Sequence, residues 1–444
     1  MQQGNKTATA SANNFSSNFG FILACVGSAV GMGNIWMFPY RLGEYGGGAF
    51  LVPYILFVIL FSLVGLSAEF AIGRRARTGT LGAYEYCWNH IHHGRTGYLL
   101  GWIPLLGSLG IAIGYAVIVG WVVWAFAASL TGTLLTNDAA AGFAQTTQSF
   151  GSLPWHVIVI ISAAAILISG VTQGIEKVNK ILMPAFFLLF AFLAIWVFFL
   201  PNTAPGYAFM FTPHWNDLLK ADTWVMAMGQ AFFSLSITGS GMIVYGSYLH
   251  KDENIPSASI WTGVFDTLAA MLAALAIIPA VFSFGIEPNC GPALMFITLP
   301  QVFKQMPFGQ FFSIVFFLSV IFAGITSLIN MFEAVSESWQ NRFHLKRNTA
   351  IILCSSLALL VGIFIEGAPE VGTWMDFVTI IIVPLGAVFG AVSFYYVLGY
   401  GELRQEMEQG RKKPLPKFFG IIARYIYVPL TAVIFVLGIM YGGL

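Results

Sequence analysis

The sequence predicts an all-α membrane protein with eleven transmembrane helices. Of its 444 residues, 57% are hydrophobic and only 9% are charged, whereas a soluble domain carries about 25% charged residues. The apolar residues form runs of roughly 20 or more, the length that a helix needs to cross the hydrocarbon core. Two of these runs are interrupted near their middle by small and hydroxyl-bearing residues. The partner of such a surface is the lipid bilayer. The net charge of +1 says nothing about nucleic acid, and no dense basic patch in the sequence indicates nucleic-acid binding.

Eleven apolar segments define the predicted topology. They lie at about 16–38, 48–72, 97–130, 154–171, 178–200, 224–248, 256–286, 308–341, 347–366, 371–398 and 418–441. We expect a cytoplasmic tail at 1–14 and a single transmembrane domain at 15–444, with repeat halves at about 15–200 and 224–398 and an extra helix at 418–441. An odd number of crossings places the two termini on opposite sides of the membrane.

The positions of lysine and arginine orient this topology. With the N-terminus in the cytoplasm and the C-terminus outside, 16 of the 20 basic residues fall on the inner side, where such residues concentrate in membrane proteins. The 16 are Lys6, Arg74, Arg75, Arg77, Arg95, Lys177, Lys180, Lys251, Arg342, Lys346, Arg347, Arg404, Arg411, Lys412, Lys413 and Lys417.

Helix-breaking residues interrupt the first and sixth segments. The first contains Gly27, Gly31 and Gly33, and the sixth contains the run SLSITGSG at 234–241. Glycine weakens a helix interior, and serine and threonine offer competing hydrogen bonds, although small residues also allow close helix packing. Because the two breaks are five segments apart, they predict a 5+5 inverted repeat with broken helices 1 and 6 and a binding site at the bilayer midplane. Unwound carbonyls can hold a cation, and freed N–H groups can hold an anion.

Polar residues within the apolar segments are candidates for this site. A carboxylate such as Asp266 inside the membrane requires a compensating cation or proton, the alternative being a hydrogen bond to a neighbouring helix. The hydroxyls of Thr326 and Ser327 suit an alkali cation, unless they bond back to the preceding helical turn. We expect Glu69, near the inner end of its segment, to pair with basic groups there.

Opposite charges occupy the outer ends of two segments. Arg41 closes the first segment and Asp376 lies near the start of the tenth, which suggests a gate, although two unrelated interfacial charges would fit the pattern as well. No HExxH, GxSxG or P-loop motif is present, so the sequence favours a non-enzymatic protein.

Three motifs resemble those of a known family. Residues 27–36 (GSAVGMGNIW), 230–236 (QAFFSLS) and 323–327 (AGITS) are similar to the first, sixth and eighth helices of the neurotransmitter:sodium symporters, bacterial eleven-helix type. The resemblance covers nearly the whole chain. It implies a sodium-coupled secondary symporter that imports an amino acid by alternating access, located in the bacterial inner membrane.

The resemblance also implies two sodium sites. One would use the carbonyls of Gly27, Val30 and Ala323 and the hydroxyls of Thr326 and Ser327. The other would use the Ala29 carbonyl, the side chains of Asn34, Ser234 and Asp266, and the carboxylate of the substrate. Asp266 stands where chloride-dependent members have a neutral amide, so we expect transport that requires no chloride.

A substrate pocket follows from the same resemblance. It would comprise Ser28, Ala29, Gly31, Gly33, Ile111, Tyr115, Phe233, Ser236, Thr238, Gly239, Ser327 and Met331. Monoamine transporters have an aspartate at the position of Gly31, and glycine leaves room for a substrate carboxylate held by Tyr115. Gly239 replaces a bulky aromatic residue of some members, which leads us to expect a larger pocket and a hydrophobic or aromatic amino acid.

The gates depart from the family pattern. Met37 stands where many members have the basic residue of the outer gate, and Arg41, one helical turn later, is expected to pair with Asp376 instead. At the inner gate, Ala12 and Asn341 stand where relatives have an arginine and its acidic partner. These changes leave an amino-acid sensor, or a non-transporting binding protein with a transporter fold, as the alternative function.

Overall fold

The structure, a computed structural model, describes residues 14–286 and 291–443. Regular secondary structure in these residues is helical, with no β-strand among them. The predicted all-α class is therefore confirmed for these residues. The predicted tail at 1–14 lies outside the described residues except for Asn14.

Helices follow one another along the whole described chain. They are α1 Asn18–Ala29, α2 Gly33–Glu44, α3 Gly47–Ala76, α4 Gly94–Thr131, α5 Leu153–Ile168, α6 Val171–Phe198, α7 Ala221–Ser234, α8 Gly241–Ser247, α9 Ile255–Ser283, α10 Gly309–Phe343, α11 Arg347–Ile365, α12 Ala368–Glu408 and α13 Phe419–Tyr441. Short helices connect them at Thr80–Asn89, Ala139–Thr146, Ala204–Phe211 and Leu299–Gln305.

Eight helices of the described chain are long and apolar enough to cross a membrane, or nine spans when α1 and α2 count as one bent span. Two predicted segments have no such helix. Segment 154–171 corresponds to α5, which has 16 residues. Segment 224–248 is divided into α7 and α8, of 14 and 7 residues. Helix length alone therefore does not yield the eleven spans that the sequence predicts.

The first predicted interruption lies between α1 and α2. Helix α1 ends at Ala29, and Val30 is extended, with φ −69° and ψ 112°. The two helices are bent by 57° relative to each other. The glycine-rich motif is thus the place where the first segment changes direction.

The second interruption separates α7 from α8. Ser236 and Gly239 both have left-handed backbones, with φ of 53° and 72°, and glycine adopts this conformation without a Cβ penalty. The N–H of Gly239 donates to Glu69 Oε1 (2.8 Å), and the Glu69 side chain is buried. The prediction of a basic partner for Glu69 is therefore wrong. The carboxylate instead accepts a hydrogen bond from a backbone N–H that has no helical partner because the helix is broken there.

The N-terminal end of α1 is held by a carboxylate on α6. Glu176 accepts hydrogen bonds from the Ser16 N–H (2.6 Å), the Ser16 hydroxyl (2.7 Å) and the Ser17 hydroxyl (3.0 Å). Lys180 completes the cluster with an ion pair of 2.6 Å to Glu176.

Of the two predicted inner-gate positions, Ala12 lies outside the described residues. Asn341 donates to Thr78 Oγ1 (3.3 Å).

Candidate functional site

A cavity of about 500 Å³ lies beside both helix breaks. Its walls come mainly from α1, α2, α4, α7, α10, α12 and α13 and from the break after α7, so it lies where the two halves of the chain meet. Eleven of the twelve predicted substrate residues line it, namely Ser28, Ala29, Gly31, Gly33, Ile111, Tyr115, Phe233, Ser236, Thr238, Ser327 and Met331. The sequence motifs therefore converge on one space in the described chain.

Gly239 is the predicted pocket residue that does not line this cavity. A Cβ at this position would lie 2.7 Å from the Tyr84 hydroxyl and 2.9 Å from the Gly386 carbonyl oxygen. Tyr84 donates to that same carbonyl (3.3 Å). Glycine at 239 thus makes room for Tyr84, and the expectation that it enlarges the substrate pocket is wrong.

Asp266 connects the two broken helices. Its Oδ1 accepts a hydrogen bond from Asn34 Nδ2 (2.8 Å), and its Oδ2 accepts one from Ser234 Oγ (2.7 Å). Asn34 Oδ1 in turn accepts the N–H of Gly31 (2.9 Å) at the first break. Asp266 is fully buried, and no lysine, arginine or histidine of 14–286 or 291–443 forms an ion pair with it. A buried carboxylate with only neutral partners provides a strong attraction for a cation.

A second group of oxygens lies between α1 and α10. The Ser327 hydroxyl is within donating distance of the carbonyl of Gly27 (3.1 Å), in the last turn of α1, and of that of Val30 (2.9 Å), at the first break. Thr326 Oγ1 bonds back to its own helix, at the carbonyls of Phe322 (2.9 Å) and Ala323 (3.1 Å). The five predicted ligand residues are thus neighbours, and carbonyl and hydroxyl oxygens are the ligands that hard cations prefer.

Tyr115 faces the first break from α4. Its hydroxyl accepts the N–H of Met32 (3.3 Å). A Cβ on Gly31 would lie 2.8 Å from that hydroxyl and 3.3 Å from Ser327 Oγ. Only glycine leaves free space between Tyr115 and the helix break, and a carboxylate placed there would meet both a hydroxyl donor and N–H groups at the start of α2.

One end of the cavity carries the predicted gate residues. Arg41 and Asp376 both line it, together with Met375 and Gly442. Arg41 Nη1 also donates to Gln230 Oε1 (3.1 Å). The structure therefore places the two opposite charges at the wall of the same cavity.

Sequence reasoning missed several cavity residues. Ser108 and Ile118 line the cavity on α4, as Ile111 and Tyr115 do. The four are spaced by three and four residues, the repeat of one helix face, so this periodicity could have identified the two that were missed. Asn330, on α10, also lines the cavity, and its spacing of three residues from Ser327 places it on the same helix face.

The chain matches known proteins over almost its full length. A family model described as the sodium:neurotransmitter symporter family matches residues 12–145 and 137–442. "Uncharacterized sodium-dependent transporter YhdH" of Bacillus subtilis (strain 168) is 33% identical, over 96% of this chain and 97% of its own length. "Uncharacterized sodium-dependent transporter MJ1319" of Methanocaldococcus jannaschii is 30% identical, over 97% and 92%.

A solved structure has the same fold. The crystal structure of MhsT in complex with L-phenylalanine superimposes with a TM-score of 0.84 at 31% sequence identity, over 96% of this chain and 99% of the other. These matches confirm the family indicated by the three sequence motifs and make the chain a multi-pass membrane transporter rather than an enzyme. The chain belongs to the sodium:neurotransmitter symporter family.

Proposed function

We propose that this chain is a sodium-coupled symporter that imports a hydrophobic or aromatic amino acid by alternating access. The observation that carries the proposal is Asp266, a fully buried carboxylate that joins Asn34 and Ser234 at the junction of the two broken helices. Isolated charges inside a membrane protein are destabilising without a counter-ion. Sodium bound beside Asp266 would supply that charge and at the same time link α2, α7 and α9.

Two sodium ions would bind per transport cycle. One would lie at Asp266, with the Ala29 carbonyl and the substrate carboxylate as further ligands. The other would lie between α1 and α10, where the oxygens of Gly27, Val30 and Ser327 approach one another. Because both groups of ligands span a helix break, bound sodium would favour the conformation in which the breaks are ordered. Coupling arises when sodium and substrate prefer the same conformation.

The cavity supports an amino acid as the substrate. Its volume of about 500 Å³ lies within the range of about 300–1,000 Å³ for small-molecule pockets. Phe233, Ile111 and Met331 supply apolar walls, while Tyr115 and the N–H groups after the first break supply donors for a carboxylate. The L-phenylalanine bound by MhsT supports an aromatic or large apolar side chain.

Transport would not require chloride. A sodium ion and a zwitterionic substrate together bring a net positive charge into the site. A fixed carboxylate offsets that charge, so no chloride ion has to bind for the same purpose. Asp266 provides such a fixed anion and is buried within hydrogen-bonding distance of both broken helices.

We further propose eleven crossings in a 5+5 inverted repeat. Nine spans by length and composition, together with α5 and the divided α7–α8 segment, add up to eleven. The distribution of lysine and arginine favours a cytoplasmic N-terminus and an external C-terminus in a bacterial inner membrane. The cavity end with Arg41 and Asp376 would then open to the outside, and the pair would act as the outer gate.

Uptake by reconstituted protein tests the proposal. Proteoliposomes with internal potassium would receive radiolabelled L-phenylalanine in external sodium chloride, sodium gluconate or choline chloride. We expect accumulation in both sodium buffers and none in choline chloride. Equal accumulation in choline would refute sodium coupling, and a need for chloride would refute chloride independence. Sodium-dependent binding without accumulation would instead identify a sensor.

A further inference from the structure

A buried amide on α6 remains outside the site described so far. Asn179 is fully buried. Its Nδ2 donates to the carbonyl of Ile175, one turn earlier (2.8 Å). This bond fixes which end of the amide is the donor, and Oδ1 points away from it. Within 14–286 and 291–443, Asn179 Oδ1 has no hydrogen-bond partner.

This oxygen lies against the helix that carries the first break. A Cβ on Gly27 would lie 1.9 Å from Asn179 Oδ1 and 2.9 Å from Thr326 Cβ. Asn179 therefore approaches α1 at the residue whose carbonyl contacts Ser327 Oγ, beside α10. Helix α6 packs against both α1 and α10, so the amide lies where the three helices meet.

The absence of a side chain at Gly27 makes this approach possible. Any larger residue at position 27 would collide with the amide oxygen, so glycine allows α6 to place an acceptor against α1. A buried acceptor without a donor destabilises the fold. An unsatisfied amide oxygen that faces α1 at Gly27, a residue of the proposed sodium site, is instead suited to a hard cation, which binds several neutral oxygens together.

We propose that Asn179 Oδ1 is a further ligand for Na⁺ at the site between α1 and α10. The assignment rests on the proposed sodium coupling and adds a third helix to that site. Sodium bound there would contact oxygens from α1, α10 and α6, and so would hold α6 against the first break. Asn179 would then contribute to the sodium affinity of the site and not to recognition of the amino acid.

The test compares three variants of the full-length protein in detergent. Asn179→Leu removes the oxygen at similar volume, Asn179→Asp keeps an oxygen and adds charge, and Met183→Leu, one turn further on α6 and also buried, is the matched control. Binding of ²²Na⁺ is titrated with ionic strength held constant by choline chloride. Thermal unfolding in choline alone checks that each variant is folded.

We expect Asn179→Leu to raise the half-saturating sodium concentration about tenfold. A polar contact to a charged partner contributes more binding free energy than one between neutral groups. Asn179→Asp should bind sodium at least as tightly as the unmodified protein, and Met183→Leu should match it. The substrate KM at saturating sodium should stay unchanged in Asn179→Leu. Unaltered sodium affinity in folded Asn179→Leu would overturn the assignment, as would a loss in Asn179→Asp equal to that in Asn179→Leu. If the unmodified protein itself binds no sodium, the proposed function fails, whatever the variants show.

Discussion

Replacing Asp266 with asparagine tests the electrostatics of the site directly. The substitution keeps the shape and one oxygen of the side chain, and Ser234 can still donate to that oxygen. It removes the only charge of the cluster with Asn34 and Ser234. Two unit charges about 4 Å apart attract by about 4 kcal/mol at an effective dielectric constant of about 20, and about 1.4 kcal/mol corresponds to tenfold in affinity. The retained oxygen recovers part of this loss, so we expect sodium to bind about 100-fold more weakly.

The assay is initial uptake of radiolabelled L-phenylalanine by proteoliposomes over a sodium series. Asp222→Asn is the matched control, because Asp222 is exposed, does not line the cavity and accepts a hydrogen bond from Tyr441 (2.8 Å). It should behave like the unmodified protein, whereas Asp266→Asn should need far more sodium for half-maximal uptake. A half-saturating sodium concentration within threefold of the unmodified value in Asp266→Asn would refute the view that this carboxylate attracts the ion.

Three further predictions concern other parts of the cavity. Gly31→Ala places a methyl group 2.8 Å from the Tyr115 hydroxyl, so the substrate KM should rise about tenfold. If that hydroxyl binds the substrate carboxylate, the double variant Gly31→Ala/Tyr115→Phe should not regain uptake. Full restoration of uptake in the double variant would show that the defect is only steric. Arg41→Glu and Asp376→Arg should each abolish most uptake, and the double variant should recover part of it; a double variant as inactive as either single one would contradict the proposed gate pair. Ser327→Ala removes the hydroxyl that joins two carbonyls of the first break, which should weaken ²²Na⁺ binding about tenfold, and unchanged binding would argue against a sodium ion between these helices.

The two helix breaks illustrate what could be predicted from local sequence. Glycine, serine and threonine act on the backbone of their own turn, so the interruptions around Gly31 and after Ser234 are visible without a partner. Ser108 on α4 has no such effect on its own turn. It could be inferred only from its spacing to Ile111 and Tyr115, which share its helix face.

The Gly239 and Glu69 predictions were wrong for one shared reason. Each was judged from its own neighbourhood, whereas its environment is set by a distant part of the chain. The hydroxyl of Tyr84 takes the space beside Gly239, and Glu69 accepts the N–H of Gly239, in the second helix break, 170 positions away in sequence. The packing of helices against one another determines such contacts, and they cannot be predicted from the residue spacing within a single segment.

The sequence by itself determined the membrane class, the places where two apolar segments break and, through its motifs, the family. These are properties of composition and of single helical turns, which each segment carries independently. Only the tertiary structure decided which oxygens face one another: Asp266 meets Asn34 across 232 positions, and Asn179 reaches Gly27 from α6. Close packing of helices from both halves of the chain produces these encounters, because a buried polar group must find its partner wherever the fold brings one within hydrogen-bonding distance.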